Sequence, residues 1–255
     1  MHSFKFIVAA LSFFSAAAFA APTPVASYGF NNTLASSVGG APALVEVNPL
    51  GTSGFAADVV FGNAQTVYTF NGTPSQNAGL TLDSTGLLTS PTLYTVEIVF
   101  KFTENLNAWR RILDVQNRQT DNGFYVDPSN NLDVYPVAGG SPFTNDEYHD
   151  VFLVNDNGKV TFYLDGSAQQ TVNTTVMDLD PVTNPDDLFG FFLDNIAGPA
   201  TQEYSSGSVA RINLFNVALT AEEVTPPTGV PEPGSLALLG LGLAGLAAIQ
   251  KRKQA

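Results

Sequence analysis

Cysteine is absent from the 255 residues, which excludes disulfides, thiol nucleophiles, Cys-ligated zinc and lipid attachment through a thiol. A folding unit of about two hundred residues can bury enough apolar surface to do without cross-links. Histidine is nearly absent too: His2 and His149 are the only two. His2 falls in a leader-like segment, so a histidine-based serine triad would have to use His149. No Gly-x-Ser-x-Gly elbow is present to supply the serine. There is one tryptophan, Trp109, and only ten Lys and Arg against 23 Asp and Glu.

Four of those ten, Lys5, Lys251, Arg252 and Lys253, lie at the chain ends. Without the ends and Glu232, six basic residues face twenty-two acidic ones, a net charge of −16. A nucleic-acid partner is thereby disfavoured, since little remains to neutralise phosphates. The acidity keeps a protein soluble and repelled from its neighbours, and calcium is the candidate metal for surplus carboxylates. Charged residues make up only 13% and hydrophobic ones 44%, so burial can outweigh ordering entropy and the chain folds.

The first twenty residues, MHSFKFIVAALSFFSAAAFA, have the layout of a secretory signal peptide. Lys5 begins it, Phe6–Ala18 is apolar, and Ala18-Phe19-Ala20 is a small-x-small cleavage site. Pro22 and Pro24 follow at once, and the apolar run is short for a span. At the other end, Val230-Pro231-Glu232-Pro233 precedes Ser235–Ile249, which lacks any charge, and then Lys251, Arg252 and Lys253. Fifteen residues of helix are about 22 Å long, short of a hydrocarbon core of ~30 Å. The basic cluster would hold the C-terminus in the cytoplasm and leave the preceding domain outside.

This tail resembles the PEP-CTERM sorting signal of Gram-negative bacteria in order, spacing and C-terminal position. The resemblance implies an exosortase partner that cleaves near Pro-Glu-Pro. It also implies a transient inner-membrane anchor and delivery to the cell surface or extracellular matrix, often with biofilm.

Between the ends, turn signals punctuate apolar runs at intervals of about ten residues, the mark of a sandwich or barrel. In Tyr94–Phe102, Val96, Ile98, Phe100 and Phe102 alternate with Thr95, Glu97, Val99 and Lys101, which predicts a strand with the first set in the core. Arg111–Val115 and Gly123–Val126 flank the polar loop Gln116–Asn122. Asp127–Asn131 turns the chain into Leu132–Pro136. Tyr148–Asn155, Lys159–Leu164 and Ser167–Val172 are separated by Asp156-Asn157-Gly158 and Asp165-Gly166. Gly207–Phe215 is the last strand, and Thr220 can cap one helical turn at Ala221-Glu222-Glu223. Strands without helical crossovers pair antiparallel. The expected organisation is a signal peptide over 1–20, an all-β antiparallel sandwich over 21–225, a linker over 226–229 and a sorting tail with a C-terminal apolar helix over 230–255.

Several runs resemble a laminin-G-like, concanavalin A-type jelly roll. Tyr28-Gly-Phe-Asn-Asn-Thr-Leu34 is similar to its opening strand, and Tyr94–Phe102 to a central one. Tyr148-His-Asp-Val-Phe-Leu-Val154, Asn157-Gly158 and Val160–Gly166 match its W-H-H-V-A-L-V…G…V-x-L-Y-V-D-G hairpin, with Tyr148 in place of Trp. Asn216-Val-Ala-Leu-Thr-Ala-Glu-Glu is similar to its N-R-A-L-S-x-E-E segment. The resemblance makes His149 a residue of the fold signature. Ala210-Arg211 stands where many relatives carry an acidic pair, so a calcium site using those acids is in doubt.

Jelly-roll glycosidases commonly set their carboxylates as Glu-x-Asp-x-x-Glu or Glu-x-Asp-x-Glu along one strand. Glu97 and Glu46 are instead isolated, and Asp146-Glu147 and Asp186-Asp187 lie in turn-like sequence. The expectation is no enzyme. No EF-hand pattern exists, and Asp114, Asp121, Asn122 and Asp127 are hard oxygen donors around one loop region without defining a ligand set. Trp109, followed by Arg110 and Arg111, is the glycan-binding candidate if its ring is exposed and a core residue if it is not. The sequence therefore reads as a non-catalytic exported surface or matrix protein. Its rim loops would bind polysaccharide or other matrix material. The alternatives are an adhesive matrix protein that recognises proteins, and a glycoside hydrolase with an unrecognised site.

Overall fold

The computed structural model describes residues 22–225, apart from 74–75, 105–106, 180–181, 183 and 198–202. The signal peptide with Ala18 and Ala20, the 226–229 linker, the motif Val230, Pro231, Glu232 and Pro233, the apolar helix and the cluster Lys251, Arg252 and Lys253 lie outside the described residues. Among the described residues no helix is long and apolar enough to cross a membrane.

The described chain is nearly all β. The early strands are β1 (Ala26–Tyr28), β2 (Val45–Val47), β3 (Gly54–Val60), β4 (Asn63–Asn71), β5 (Gly79–Asp83) and β6 (Leu93–Phe102). Next come β7 (Arg110–Asp114), β8 (Gly123–Val126), β9 (Asn131–Tyr135) and β10 (Ala138–Pro142). The last are β11 (His149–Asp156), β12 (Lys159–Leu164), β13 (Ser167–Asn173), β14 (Leu188–Phe191) and β15 (Ser206–Phe215), followed by α1 (Ala221–Val224).

One sheet runs β13-β12-β11-β6-β15-β4-β3, with β1 also paired to β15; the other runs β10-β9-β8-β7-β14-β5-β2. Every pairing is antiparallel. We call them the first and second sheets. Their inner faces meet in one apolar core that includes Val96, Ile98, Phe100 and Phe102 from β6, Ile112 from β7, and Phe124 and Val126 from β8. Phe70 stacks on Phe192 with ring centres 4.0 Å apart. The result is the antiparallel sandwich expected from the alternation.

Period-two patterning placed the later strands well, because their turns carry residues suited to positive φ. Asn157 (φ 53°) and Gly158 (φ 84°) join β11 to β12, and Asp165 (φ 51°) and Gly166 (φ 77°) join β12 to β13. Two expectations need correction. The opening strand ends at Tyr28 rather than running to Leu34, because Phe30 and Asn32 adopt φ of 53° and 56°, outside strand geometry. The second face of β6 is also buried at Thr95, Glu97 and Val99. Val99 packs with Val60, Val67 and Ala210, Glu97 is held by Arg211 and Asn213, and Thr95 lies under the segment that follows β15. Thr95 Oγ1 donates to Val217 O at 2.8 Å and accepts from Leu219 N at 3.0 Å. Residues 216–225 thus lie on the outer face of the first sheet, where Leu219 and Val224 pack on Phe152, Val154, Tyr163 and Phe215. Thr220 N donates to Glu223 Oε2 at 2.8 Å, the N-cap arrangement expected there.

Candidate functional site

Alternation on the second sheet sends Ile112, Phe124 and Val126 into the core and leaves Arg111 and Tyr125, which are registered opposite each other, on the outer face. Arg111 is only 2% exposed, so its guanidinium needs partners on every side. It donates to Tyr125 Oη at 2.5 Å, to Asp114 Oδ2 at 2.7 Å and to Thr120 O at 3.1 Å. It also stands 3.8 Å from Asp121 Oδ1. Asp114 Oδ1 accepts from Gln116 N and Arg118 N at 3.1 and 2.8 Å, folding the β7–β8 loop over the sheet. Positive φ at Asn117 (48°) and Arg118 (59°) makes that fold-back.

Arg118 Nε then donates to Asp194 O at 2.6 Å, which ties the loop to the connection between β14 and β15. Asp194 N donates to Asn77 Oδ1 at 3.0 Å, and Glu203 N donates to Asp194 Oδ2 at 3.0 Å. Asp121, Asp194 and Glu203 come together in this way, one carboxylate oxygen of each lying within 4.8 Å of the others. Burial, reinforced by the charges of Asp194 and Asp121, pushes the Glu203 carboxyl up to about 8. Burial likewise raises Asp194.

Trp109, Tyr125, Tyr135, Asp121 and Glu203 line a cleft of about 140 Å³ beside this cluster. Trp109 is half-buried, with its ring edge-on to Tyr125 at 5.6 Å and to Tyr135 at 5.0 Å. Its position lies between the two alternatives that the sequence left open. The volume is well below the ~300–1,000 Å³ of an enclosing small-molecule pocket, which suits contact with one face of a ring. A larger cleft of about 420 Å³, lined by residues such as Thr92, Gln116, Asn122, Thr175 and Asp178, has no aromatic ring among its described lining residues.

The remaining candidates are otherwise engaged. Asp127 Oδ1 accepts from Ser129 N and Asn131 N, so it shapes its own turn, while Asn122 lines the larger cleft. Of the four oxygen donors around the loop, only Asp121 joins the cluster. Asp194 and Glu203 were missed because they are distant in sequence and in no motif, and only the fold unites them with Asp121. Tyr125 and Tyr135 were legible only as strand residues. Arg110 is fully buried, donating to Glu104 O at 2.7 Å with its guanidinium 4.9 Å from the Phe102 ring. His149 has Nδ1 2.7 Å from Asp165 Oδ2 and Nε2 3.1 Å from Thr144 O. Both nitrogens are therefore committed within the fold.

Arg211 holds the position of the acidic pair. Its Nε donates to Glu97 Oε1 at 2.7 Å, and its Nη2 donates to Asp150 Oδ2 at 3.3 Å. Glu97 Oε2 accepts from Asn213 Nδ2 at 2.7 Å. A guanidinium thus stands between two carboxylates on the outer face of the first sheet. Glu46 also has a partner, accepting from Tyr68 Oη at 3.0 Å.

Two seven-strand paths packed face to face, with loops folded over the outer side of one, define the jelly-roll class. The family model described as the concanavalin A-like lectin/glucanases superfamily matches residues 71–225, and the chain belongs to that family. The PEP-CTERM protein-sorting motif matches residues 229–253, marking an exported protein sorted to the cell envelope. No curated protein matches the chain.

Among solved structures, domain 4 of AbnA, an extracellular arabinanase from Geobacillus stearothermophilus in complex with arabinotriose, is 20% identical, with a TM-score of 0.58 over 79% of this chain and 96% of the other. The botulinum neurotoxin serotype C1 binding domain is 12% identical, with a TM-score of 0.54 over 79% of this chain and 50% of the other. A second type C neurotoxin structure, described with two ganglioside molecules, is also 12% identical, with a TM-score of 0.51 over 79% and 49%. At these identities the likeness is one of fold.

Proposed function

We propose that this chain is a non-catalytic carbohydrate-binding protein of the cell surface or extracellular matrix of a Gram-negative bacterium. An exosortase sorts it, and it takes polysaccharide against Trp109. The observation that carries this reading is the cleft itself: three aromatic rings beside two carboxylates, Asp121 and Glu203, on an outer sheet face. Aromatic faces cover the apolar side of a sugar ring, and carboxylates accept from its hydroxyls. Two of the structural neighbours are described with arabinotriose and with gangliosides, in line with this reading. Asp194, the third carboxylate of the cluster, is 1% exposed, which puts it out of reach of a bound sugar. That geometry favours binding over hydrolysis.

The test is a glycan array probed with the purified full chain and with Trp109→Ala, together with a product assay on each bound glycan. Binding that drops about tenfold in the variant, equivalent to ~1.4 kcal/mol, with no product formed, supports the proposal. Equal binding by both proteins would sink the assignment of Trp109, and released product would sink the non-catalytic reading.

One observation favours recognition of a protein instead. Strand β3 is a sheet edge, and its hairpin exposes Phe55, Val59 and Phe61 by 38%, 59% and 57%. Exposed apolar edges accept other chains. A pull-down enriching polypeptides alone, lost in Phe61→Lys, would move the function there.

A further inference from the structure

We propose that Asp121, Asp194 and Glu203 form a calcium site that ties the β7–β8 loop to the β14–β15 connection. Three carboxylates are not enough for this assignment, and the decisive atoms are two oxygens without donors. Asp194 is 1% exposed, and its Oδ1 has no hydrogen-bond partner; neither does the buried Oε2 of Glu203. Carboxyl oxygens held out of water in this way are costly unless a proton or a cation meets them.

Nearby cations do not complete the balance. Arg111 spends its short contacts on Tyr125, Asp114 and Thr120 and stands 3.8 Å from Asp121. Arg118 donates its Nε to the backbone oxygen of Asp194, not to the carboxylate. Four carboxyl groups, those of Asp114, Asp121, Asp194 and Glu203, thus gather around only two guanidinium groups, and none of the short contacts of Arg111 or Arg118 reaches Asp194 Oδ1 or Glu203 Oε2.

The chemistry selects the cation. All three ligands are carboxylate oxygens with no imidazole or thiolate among them, which suits a hard ion rather than zinc or copper. Oxygens on a sphere of ~2.4 Å radius, the calcium distance, are at most about 5 Å apart, and these lie within 4.8 Å of one another. The rest of the shell would be water on the cleft side, where Asp121 and Glu203 are accessible. This site is separate from the Ala210-Arg211 position on the other sheet. It shares two residues with the glycan cleft but does not depend on sugar binding.

The experiment uses the metal-stripped full chain, titrated with calcium alone by calorimetry and with terbium by luminescence. Trp109 is the chain's single tryptophan and shares the cleft with Asp121 and Glu203, so excitation of its indole should sensitise bound terbium. The expected result is one calcium per chain, with Kd on the order of 10⁻⁴–10⁻³ M as in extracellular modules, and terbium emission quenched by calcium. Asp194→Asn and Glu203→Gln should each weaken binding at least tenfold while keeping the β-type circular dichroism of the parent. Absence of calcium heat and sensitised emission would overturn the site, as would unchanged affinity in both folded variants. Trp109→Ala separates this from the glycan reading: it should weaken sugar binding about tenfold and remove the indole-sensitised terbium emission but leave the calcium heat intact.

Discussion

Asp150 shows how one residue can make the domain sensitive to pH. Burial, with the charges of Glu97 and Asp165 added and that of Arg211 opposing, raises its carboxyl to about 7. A carboxyl raised on folding binds a proton in the folded state that the unfolded state has released. Stability is therefore lost as pH climbs from about 4 to about 7. Asp150→Asn removes this group's titration, so its thermal midpoint should fall less between pH 5 and pH 8 than the parent's. Parallel midpoint profiles would refute the assignment. Arg111 is a second single-residue dependence. Replacing it by Met leaves Asp114, itself wholly buried, without its 2.7 Å partner. We expect a loss of about 3–5 kcal/mol, measured by denaturant unfolding at pH 7.

At the scale of elements, the pairing of β15 with β6 depends on a missing side chain. A Cβ on Gly207 would stand 2.1 Å from Lys101 O and 2.8 Å from the Phe70 ring. The backbone would have to separate where Gly207 faces Phe102 and Phe70. Gly207→Ala should cost on the order of 1–3 kcal/mol or more, read as a lower unfolding midpoint, and an unchanged midpoint would contradict the close approach. The sequence announced β11, β12 and β13 nearly residue for residue, because alternation and turn chemistry agree there. It did not announce the burial of Thr95 and Glu97, since polar residues alternating with apolar ones signal solvent until a later segment covers them. The site was less legible for the same reason. Trp109 and Asp121 stood out locally, whereas Asp194 and Glu203 gain meaning only through the β14–β15 connection.

For the whole molecule, net charge sets the background. Six basic residues against twenty-two acidic ones favour cations near the surface, and the clustered carboxylates give one of them a specific seat. If calcium binds the folded state with a Kd near 10⁻⁴ M, 10 mM calcium adds about 2.7 kcal/mol. For a domain of this size that corresponds to a rise in the unfolding midpoint of roughly 5–10 °C. Magnesium at the same concentration should raise it much less, and Glu203→Gln should erase the difference between the two ions. A shift common to parent and variant would reflect general screening of the acidic surface.

Residues 216–225 lie on the outside of the first sheet, with Thr225 Oγ1 3.4 Å from Gly166 O. The aromatic cleft occupies the outside of the second. The described chain therefore ends on one broad side of the sandwich and opens its cleft on the other. The thickness of the sandwich becomes a spacer between that exit and the cleft.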